Sequence, residues 1–289
     1  MTLDLNELPL REAARIGFEL FRAPHTRETA AKEMRILESA TRVEVAHQQI
    51  LDWPPTMRPE ITLTAYVWEN AGSSVLLTHG WEFQAGRMGA FVKPLLQAGF
   101  RVVAFDAPAH GQSQGEFSTL LDYEEAILNV LRTLGVSWRA IIGHSFGGMS
   151  AAWALARHPE LAIQKLVLIA AGTDVEFLLQ SSPRFQQAGA ELKQGLREEF
   201  RRRVGHWPAE YNAAKASATL QAQTLVIHDQ RDYMVPFTHA EAYVAYIPNA
   251  QLLATNGLGH RAILRDAQVV AETVRFLSAS VSEKYTSLR

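Results

Sequence analysis

Residues 140–148, with the sequence AIIGHSFGG, decide the fold of this chain. A short apolar run at 140–142 leads into a Gly-x-Ser-x-Gly turn, and helical periodicity begins near Ser145. A tight strand–turn–helix junction of this kind needs glycine on both sides of the serine, because side chains at Gly143 and Gly147 would collide with neighbouring backbone. The Ser145 hydroxyl is therefore predicted to stand exposed at a helix N-terminus, where the helix dipole favours developing negative charge.

Predicted strands and helices alternate along the chain on both sides of this turn. The short apolar runs are residues 75–78, 101–105, 140–142, 165–170 and 224–227. The stretches with helical spacing between them are residues 87–98, 121–134, 145–157 and 236–246. An alternating strand at 61–68, a last strand at 251–254 and a closing helix at 262–278 complete the pattern. Strands buried on both faces and separated by helices predict a mostly parallel central sheet with helices on both sides.

The first 60 residues differ from this pattern and read as a helical extension. Residues 8–23 place Leu10, Ala14, Phe18 and Phe21 on one helix face, and residues 26–46 repeat the spacing. Trp53-Pro54-Pro55 is predicted to end the region because proline stops helices. We expect these helices to pack on the core, with binding to a membrane surface as the alternative.

A second irregular interval lies between the apolar runs that end at residue 170 and begin at residue 224. About fifty residues there show helical spacing interrupted by glycines, and a structureless loop of that length is uncommon. We expect a helical lid at 172–221, inserted into a core formed by residues 61–171 and 222–289, with the extension at 1–60.

Composition excludes several classes of function. The 289 residues carry 28 Lys and Arg against 30 Asp and Glu, so no basic surplus exists to neutralise a nucleic-acid backbone. The chain has no cysteine, which excludes disulfides, thiolate metal sites and a cysteine nucleophile. No close pair of metal-ligand residues and no dinucleotide-binding fingerprint is present, so neither metal nor cofactor is expected. Without a secretory signal or an 18-residue apolar stretch, a cytoplasmic protein with no membrane span is expected.

Two polar residues downstream suit the chemistry that a serine needs. A serine hydroxyl is a weak nucleophile and requires a base that an acid orients. Asp232 lies just past the apolar run at 224–227, and His260 follows the predicted last strand. Both positions are at carboxyl ends of strands, where ligands of α/β proteins bind. Asp229, three residues before Asp232, is a rival for the acid.

Several segments together make the chain similar to a known family. His79-Gly80-Trp81, the stretch DAPAHGQS at 106–113, the turn around Ser145, and the D-x-x-V-P and G-x-G-H segments at 232–236 and 257–260 occur in the order found in α/β-hydrolase fold enzymes. The resemblance covers roughly residues 61–280 and points to the serine-nucleophile branch, in particular to uncharacterised bacterial hydrolases with N-terminal helices. Ala109 stands where the family usually has glycine, a departure we expect to matter little because alanine is small.

The resemblance implies a role for each matching residue. Ser145 is expected to be the nucleophile, His260 the base and then the acid, and Asp232 the group that orients the imidazole. The family's spacing favours Asp232 over Asp229. The backbone N–H groups of Trp81 and Phe146 are expected to form the oxyanion hole. The remaining histidines in the motifs, His79, His110 and His144, are interpreted as structural.

The function expected from these residues is a serine esterase without a cofactor. Phe177, Leu178 and Tyr233 are predicted to contact an apolar acyl or alcohol group of a small to medium carboxylic ester, with a thioester or amide as alternatives. A non-catalytic small-molecule sensor or scaffold on the same fold, and an acyltransferase, are the other hypotheses. A homodimer remains open, since an apolar face of the N-terminal helices suits either a partner or the chain's own core.

Overall fold

The computed structural model describes residues 4–25, 28–50, 58–135 and 137–280. Within them one sheet has eight strands in the spatial order β1-β2-β4-β3-β5-β6-β7-β8. The strands are β1 (Thr41–Gln48), β2 (Glu60–Trp68), β3 (Ser74–Thr78), β4 (Arg101–Phe105), β5 (Trp138–His144), β6 (Lys165–Ile169), β7 (Gln223–Asp229) and β8 (Ala250–Thr255). The predicted α/β architecture is confirmed, because all pairings from β4 to β8 are parallel and only those of β2 with β1 and β4 are antiparallel.

Helices cover both faces of this sheet. They are α1 (Leu10–Arg22), α2 (Ala31–Glu38), α3 (Val92–Gln97), α4 (Leu120–Thr133), α5 (Phe146–Arg157), α6 (Val175–Ser181), α7 (Ala190–Val204), α8 (Ala213–Ala216), α9 (Thr238–Tyr246), α10 (Gly259–Ala262) and α11 (Ala267–Ser278). The predicted helix at 87–98 is instead a 3₁₀ segment, Ala85–Phe91, followed by α3. The predicted closing helix is divided into α10, a 3₁₀ turn at Ile263–Arg265 and α11. None of the described helices is both long and apolar enough to cross a membrane.

The prediction of a helix over residues 26–46 is wrong beyond Glu38. Residues 41–48 form β1, which pairs antiparallel with β2 along its whole length, from Thr41 opposite Val67 to Gln48 opposite Glu60. Burial alternates along the second half of the strand: Val45 and His47 are buried and their neighbours are exposed. A two-residue period therefore prevails over the helical spacing read from the sequence. The expected start of this helix at Thr26, and the residues 53–55 expected to end the extension, lie outside the described residues.

Helix α1 packs closely on helix α7 of the inserted segment. A Cβ atom added to Gly17 would lie 2.6 Å from Cδ2 of Leu196, so a larger residue there would displace the Leu196 side chain. The rings of Phe18 and Phe200 meet edge to face at 6.0 Å, an arrangement that aromatic pairs favour. An ion pair between Arg203 and Glu19, at 3.2 Å, joins the same two helices. Helix α1 thus contacts the helices between β6 and β7 as well as the residues that cover the sheet.

Candidate active site

Ser145 lies in a strained turn between β5 and α5. It is the N-cap of α5 and has φ 53° and ψ −122°, a combination that a residue with a side chain rarely adopts. The surrounding structure holds it there: its N–H donates to the Ile169 carbonyl at 2.9 Å, and its own carbonyl accepts from Met149 N at 3.0 Å. Strain of this kind costs about 1–3 kcal/mol and persists where neighbouring structure over-determines the backbone.

The turn needs glycine after the serine, as the sequence predicts. A Cβ on Gly147 would lie 2.2 Å from the backbone oxygen of His79, a distance that no packing adjustment accommodates. The same close approach brings the residues after β3 against the start of α5. The Thr78 hydroxyl donates to the Gly147 carbonyl at 3.0 Å and fixes this contact.

Ser145, His260 and Asp232 form one hydrogen-bonded series although they come from three separate segments. Nε2 of His260 is 3.0 Å from Oγ of Ser145, and Nδ1 of His260 is 2.7 Å from Oδ2 of Asp232. The distances fit an imidazole that donates its Nδ1–H to the carboxylate and accepts the serine proton at Nε2. His260 and Asp232 are both buried. This geometry can activate a serine hydroxyl as a nucleophile.

The second oxygen of Asp232 is held by the main chain. Its Oδ1 accepts hydrogen bonds from the backbone N–H groups of Met234 at 2.8 Å and Val235 at 2.9 Å. Burial alone would raise the pKa of Asp232, but the hydrogen bond and charge interaction with His260, together with these two N–H donors, lower it below its usual value. The group therefore stays ionised at neutral pH and favours a charged imidazole.

Asp229 lies near this series but contacts a different part of the chain. It accepts hydrogen bonds from the Thr255 hydroxyl at 2.8 Å, Gly257 N at 3.1 Å and Leu258 N at 2.9 Å. Burial would raise the pKa of Asp229, yet the hydrogen bonds from Thr255 and from backbone N–H groups outweigh this and lower it to about 2. Asp229 thus holds the loop that carries His260.

The turn at residues 79–81 lies directly beside the serine. A Cβ on Gly80 would be 3.0 Å from Cβ of Ser145, and the rings of Trp81 and Phe146 meet edge to face at 5.3 Å. Phe146 begins helix α5, where backbone N–H groups have no partner inside the helix. The two residues predicted to supply oxyanion donors therefore lie in the two segments that meet at Ser145.

A cavity of about 760 Å³ opens onto Ser145 and His260. Phe177, Leu178 and Tyr233, the three residues predicted to contact substrate, all line it. Phe177 is partly buried and its ring contacts that of His239 in a tilted arrangement, with centroids 4.1 Å apart, whereas Tyr233 is 83% exposed. The volume lies within the range of pockets that hold small organic ligands.

Two family models match successive parts of the chain. Residues 74–194 match the family described as alpha/beta hydrolase fold, and residues 200–282 match the family described as TAP-like protein. The chain belongs to the α/β-hydrolase superfamily.

Sequence relatives of this α/β hydrolase are mainly esterases and a haloperoxidase. It is 25% identical over 256 residues to a non-heme haloperoxidase from Rhodococcus erythropolis, across 72% of this chain and 93% of the relative. It is 27% identical over 251 residues to a pimeloyl-[acyl-carrier protein] methyl ester esterase from Xanthomonas campestris, across 72% and 96% of the two chains. A further relative, 32% identical over 111 residues, is a bifunctional esterase/perhydrolase from Acinetobacter calcoaceticus, so ester hydrolysis recurs among the relatives.

Solved structures share the fold of this α/β hydrolase. A bromoperoxidase from Bacillus anthracis superposes with a TM-score of 0.62 at 17% identity, covering 81% of this chain and 99% of that one. An esterase from a Rhodococcus species superposes with a TM-score of 0.60 at 20% identity, covering 82% and 98%. At these identities the likeness concerns the fold alone.

Two histidines of the motifs anchor loops in this α/β hydrolase. Nε2 of His79 accepts from Ala107 N at 3.0 Å, and its Nδ1 donates to the Gly80 carbonyl at 2.8 Å. Nδ1 of His110 donates to the Pro108 carbonyl at 2.8 Å. Burial lowers the pKa of His79 to about 3 and that of His110 to about 4, so both rings are neutral at pH 7.

Part of the cavity wall is formed by residues that the sequence motifs do not indicate. The N-terminal segment contributes Phe18, Phe21, Arg22 and His25, and the start of α4 contributes Ser118 to Leu121. Phe18 and Phe21 belong to the apolar face recognised in the sequence, which was the available signal. That face could not reveal which neighbour it meets, because the contact depends on the fold of residues 172–221.

Proposed function

We propose that the protein is a serine hydrolase that cleaves a small to medium carboxylic ester through an acyl-enzyme. The observation that carries the proposal is the hydrogen-bonded series from Ser145 through His260 to Asp232, with distances of 3.0 and 2.7 Å. The position of this series at the floor of a cavity supports it, because a substrate carbonyl can reach Oγ of Ser145 there.

Each group has a role in this reaction. Oγ of Ser145 attacks the ester carbonyl while Nε2 of His260 takes its proton, and Asp232 stabilises the resulting imidazolium. The negative oxygen of the tetrahedral intermediate accepts hydrogen bonds from Trp81 N and Phe146 N, which can contribute about 3–4 kcal/mol. His260 then protonates the departing alcohol. In the second half of the reaction His260 activates a water molecule that releases the acid and regenerates Ser145.

We further propose that residues 172–221 act as a lid and that α1 forms part of the same roof. Phe177 and Leu178 of α6, Phe200 of α7 and Phe18 of α1 line the cavity above Ser145. Their apolar side chains suit the hydrocarbon part of an acyl or alcohol group.

The test combines active-site labelling with ester turnover. Purified wild-type protein is treated with a fluorophosphonate probe beside Ser145→Ala and Asp232→Asn, with turnover of 4-nitrophenyl acetate, butyrate and octanoate followed in parallel. Ser150→Ala is the matched control, because Ser150 lies in the same helix and its hydroxyl donates only to the Phe146 carbonyl among its described contacts.

We expect labelling to disappear in Ser145→Ala and to persist in Ser150→Ala. Asp232→Asn should lower kcat by about 10⁴, since the imidazole then loses its productive tautomer. The relative kcat/KM values for the acetate, butyrate and octanoate esters indicate the length of acyl chain that the cavity accepts. If folded wild-type protein shows neither labelling nor turnover, the hydrolase proposal is wrong and a small-molecule sensor becomes the better hypothesis.

A further inference from the structure

A part of the cavity wall away from the serine carries polar groups that ester hydrolysis does not use. Arg22 at the end of α1, and Ser118 and Thr119 at the start of α4, line the same cavity as Ser145 and His260. The two segments are joined by a hydrogen bond from Ser118 N to the Arg22 carbonyl, at 2.8 Å. This polar region is separate from the reacting groups and from the ion pair of Glu82 with Arg184, which also lines the cavity.

Ser118 is the clearest sign that this region binds a ligand. The residue is only 1% exposed, and its hydroxyl has no hydrogen-bond partner among the described residues. Leaving a buried hydroxyl without a partner costs about 1–3 kcal/mol, so such groups call for an explanation. A ligand atom in the cavity would supply the missing partner.

The charge around Ser118 favours an anion. Helix α4 has 14 residues and begins beside Ser118, so the N–H groups of its first turn and its dipole face this end of the cavity. Arg22 is almost fully buried, with its guanidinium stacked on the ring of Phe117 at 4.2 Å. Its Nε donates to Oε2 of Glu19 at 2.7 Å, and Glu19 is shared with Arg203 at 3.2 Å.

Asp122, an acidic residue in the first turn of α4, does not disfavour an anion near Ser118. Asp122 is 1% exposed, is absent from the cavity wall, and receives three donors from the other side of the helix. These donors are Nε2 of His47 at 2.9 Å, Ile50 N at 2.8 Å and Nε2 of Gln49 at 3.2 Å. Its charge is therefore compensated locally by His47 of β1 and by the two residues that follow the strand.

We propose that Arg22, Ser118 and the N-terminus of α4 form a carboxylate subsite, so that the preferred substrate is a half-ester of an aliphatic dicarboxylic acid. The proposal rests on the esterase function above. The ester end lies at Ser145, the methylene chain packs on the phenylalanines of the wall, and the free carboxylate reaches the subsite. A single guanidinium with one hydroxyl matches a singly charged, planar carboxylate better than a doubly charged phosphate.

The test compares two esters that differ only in charge. Mono-4-nitrophenyl suberate carries a free carboxylate, whereas methyl 4-nitrophenyl suberate has the same chain with that carboxylate capped. Release of 4-nitrophenolate reports cleavage of the same bond in both. The variants are Ser118→Ala, which removes no hydrogen bond made within the described residues, and Arg22→Gln. Arg15→Gln, at an exposed position of α1, is the matched control.

We expect wild-type protein and Arg15→Gln to show a kcat/KM at least tenfold higher for the free carboxylate than for the capped ester. Ser118→Ala and Arg22→Gln should each lower kcat/KM for the carboxylate ester about tenfold or more. Ser118→Ala, which breaks no hydrogen bond within the described residues, should leave the capped ester within about twofold. If wild-type protein prefers the capped ester, or if Ser118→Ala lowers kcat/KM equally for both esters, the carboxylate subsite is wrong. Neither result contradicts the esterase function.

A binding measurement covers the case in which no ester is turned over. Calorimetric titration of Ser145→Ala with monomethyl suberate should show binding that Ser118→Ala in the same background weakens about tenfold. Absence of binding contradicts the subsite. Failure of the esterase function itself is recognised separately, by the loss of fluorophosphonate labelling in wild-type protein.

Discussion

Nε2 of His144 lies 3.0 Å from the carbonyl oxygen of His260. His144, the residue before Ser145, therefore fixes the main chain of His260. Burial lowers the pKa of His144 well below its usual range, and the nearby His260 adds to the effect. His144 is therefore neutral, with Nε2–H as the donor. The contact joins the end of β5 to the start of α10, and proton transfer from Ser145 to His260 requires that these two segments keep their relative position.

Replacement of His144 tests this positioning role. His144→Leu removes the donor and should lower kcat for 4-nitrophenyl butyrate at least tenfold with little change in KM, because small displacements of a base are costly. His144→Gln keeps an N–H donor at a similar reach and should retain most of the activity. Steady-state kinetics at pH 7.5 separate the two. Equal losses in both variants, or a loss confined to KM, would contradict the role.

The two neighbouring aspartates should give opposite phenotypes. Asp232→Asn should leave the thermal unfolding temperature within a few degrees but abolish nearly all turnover. Asp229→Asn should destabilise the protein by about 1–3 kcal/mol, since the Thr255 hydroxyl and the backbone N–H groups of Gly257 and Leu258 lose a charged acceptor. Calorimetry and ester turnover on the same preparations check both. A larger loss of activity in Asp229→Asn than in Asp232→Asn would reverse the assignment.

The strained backbone of Ser145 makes a prediction about stability. At φ 53° a side chain is unfavourable, so Ser145→Gly should be more stable than Ser145→Ala by about 1 kcal/mol. The usual order in a helical or extended segment is the reverse, because glycine has the more flexible unfolded state. Urea unfolding of the two inactive variants measures the difference. If alanine is the more stable of the two, the turn is not strained.

Asp106 should make stability fall as the pH rises from about 4 to 6. It is buried beneath the loop at residues 106–113, and burial raises its pKa to about 6 despite hydrogen bonds from Ala85 N and Gln112 N. Because this pKa is higher in the folded than in the unfolded chain, the folded state binds more protons within that window. The group therefore removes up to about 1.4 kcal/mol of unfolding free energy per pH unit as the pH increases.

Comparison with Asp106→Asn isolates this contribution. The variant should be less stable overall, since its amide nitrogen cannot accept the hydrogen bond from Gln112 N that an oxygen of Asp106 accepts. Its unfolding free energy should nevertheless vary less between pH 4 and 6 than that of wild-type protein. Urea unfolding at half-unit intervals of pH measures both curves. Parallel curves would show that Asp106 titrates outside this window.

The contact of α1 with α7 should control substrate binding. Gly17→Leu places a side chain where Leu196 already lies and should cost about 1–3 kcal/mol of stability. By displacing Phe18 and Phe21 it should raise KM for 4-nitrophenyl octanoate several-fold, with a smaller effect on kcat. Arg15→Leu, on the exposed side of α1, is the control. An unchanged KM in a destabilised Gly17→Leu protein would show that α1 does not contact the acyl chain.

The order of strands and helices in the core could be read from the sequence because each parallel strand is a short apolar run. The edge strand β1 could not, since TRVEVAHQ at 41–48 buries only alternate residues and follows directly on a true helix. Local periodicity there supports two interpretations, and pairing with β2 decides between them. Long-range pairing is information that a window of ten residues does not contain.

Ala109 shows a further limit of reading residues by size. Because alanine is small, its replacement of glycine at this position is expected from the sequence to have little consequence. In the structure Ala109 has φ 62°, so the constraint on this position is its left-handed backbone, while its N–H bonds the Gln114 carbonyl at 2.9 Å. The proximity of Ser145, Asp232 and His260 was predictable in outline from motif order, whereas the residues of the distant wall were not.

The participation of α1 in the cavity wall divides the chain into two parts that can evolve at different rates. The sheet and its loops hold the reacting groups, and the helices at residues 10–22 and 175–204 shape the space above them. Exchange of these helices for others would alter which molecules are accepted while the bond-breaking groups stay in place. Engineers who seek a new substrate range should therefore diversify the N-terminal helix together with the insertion, as one unit.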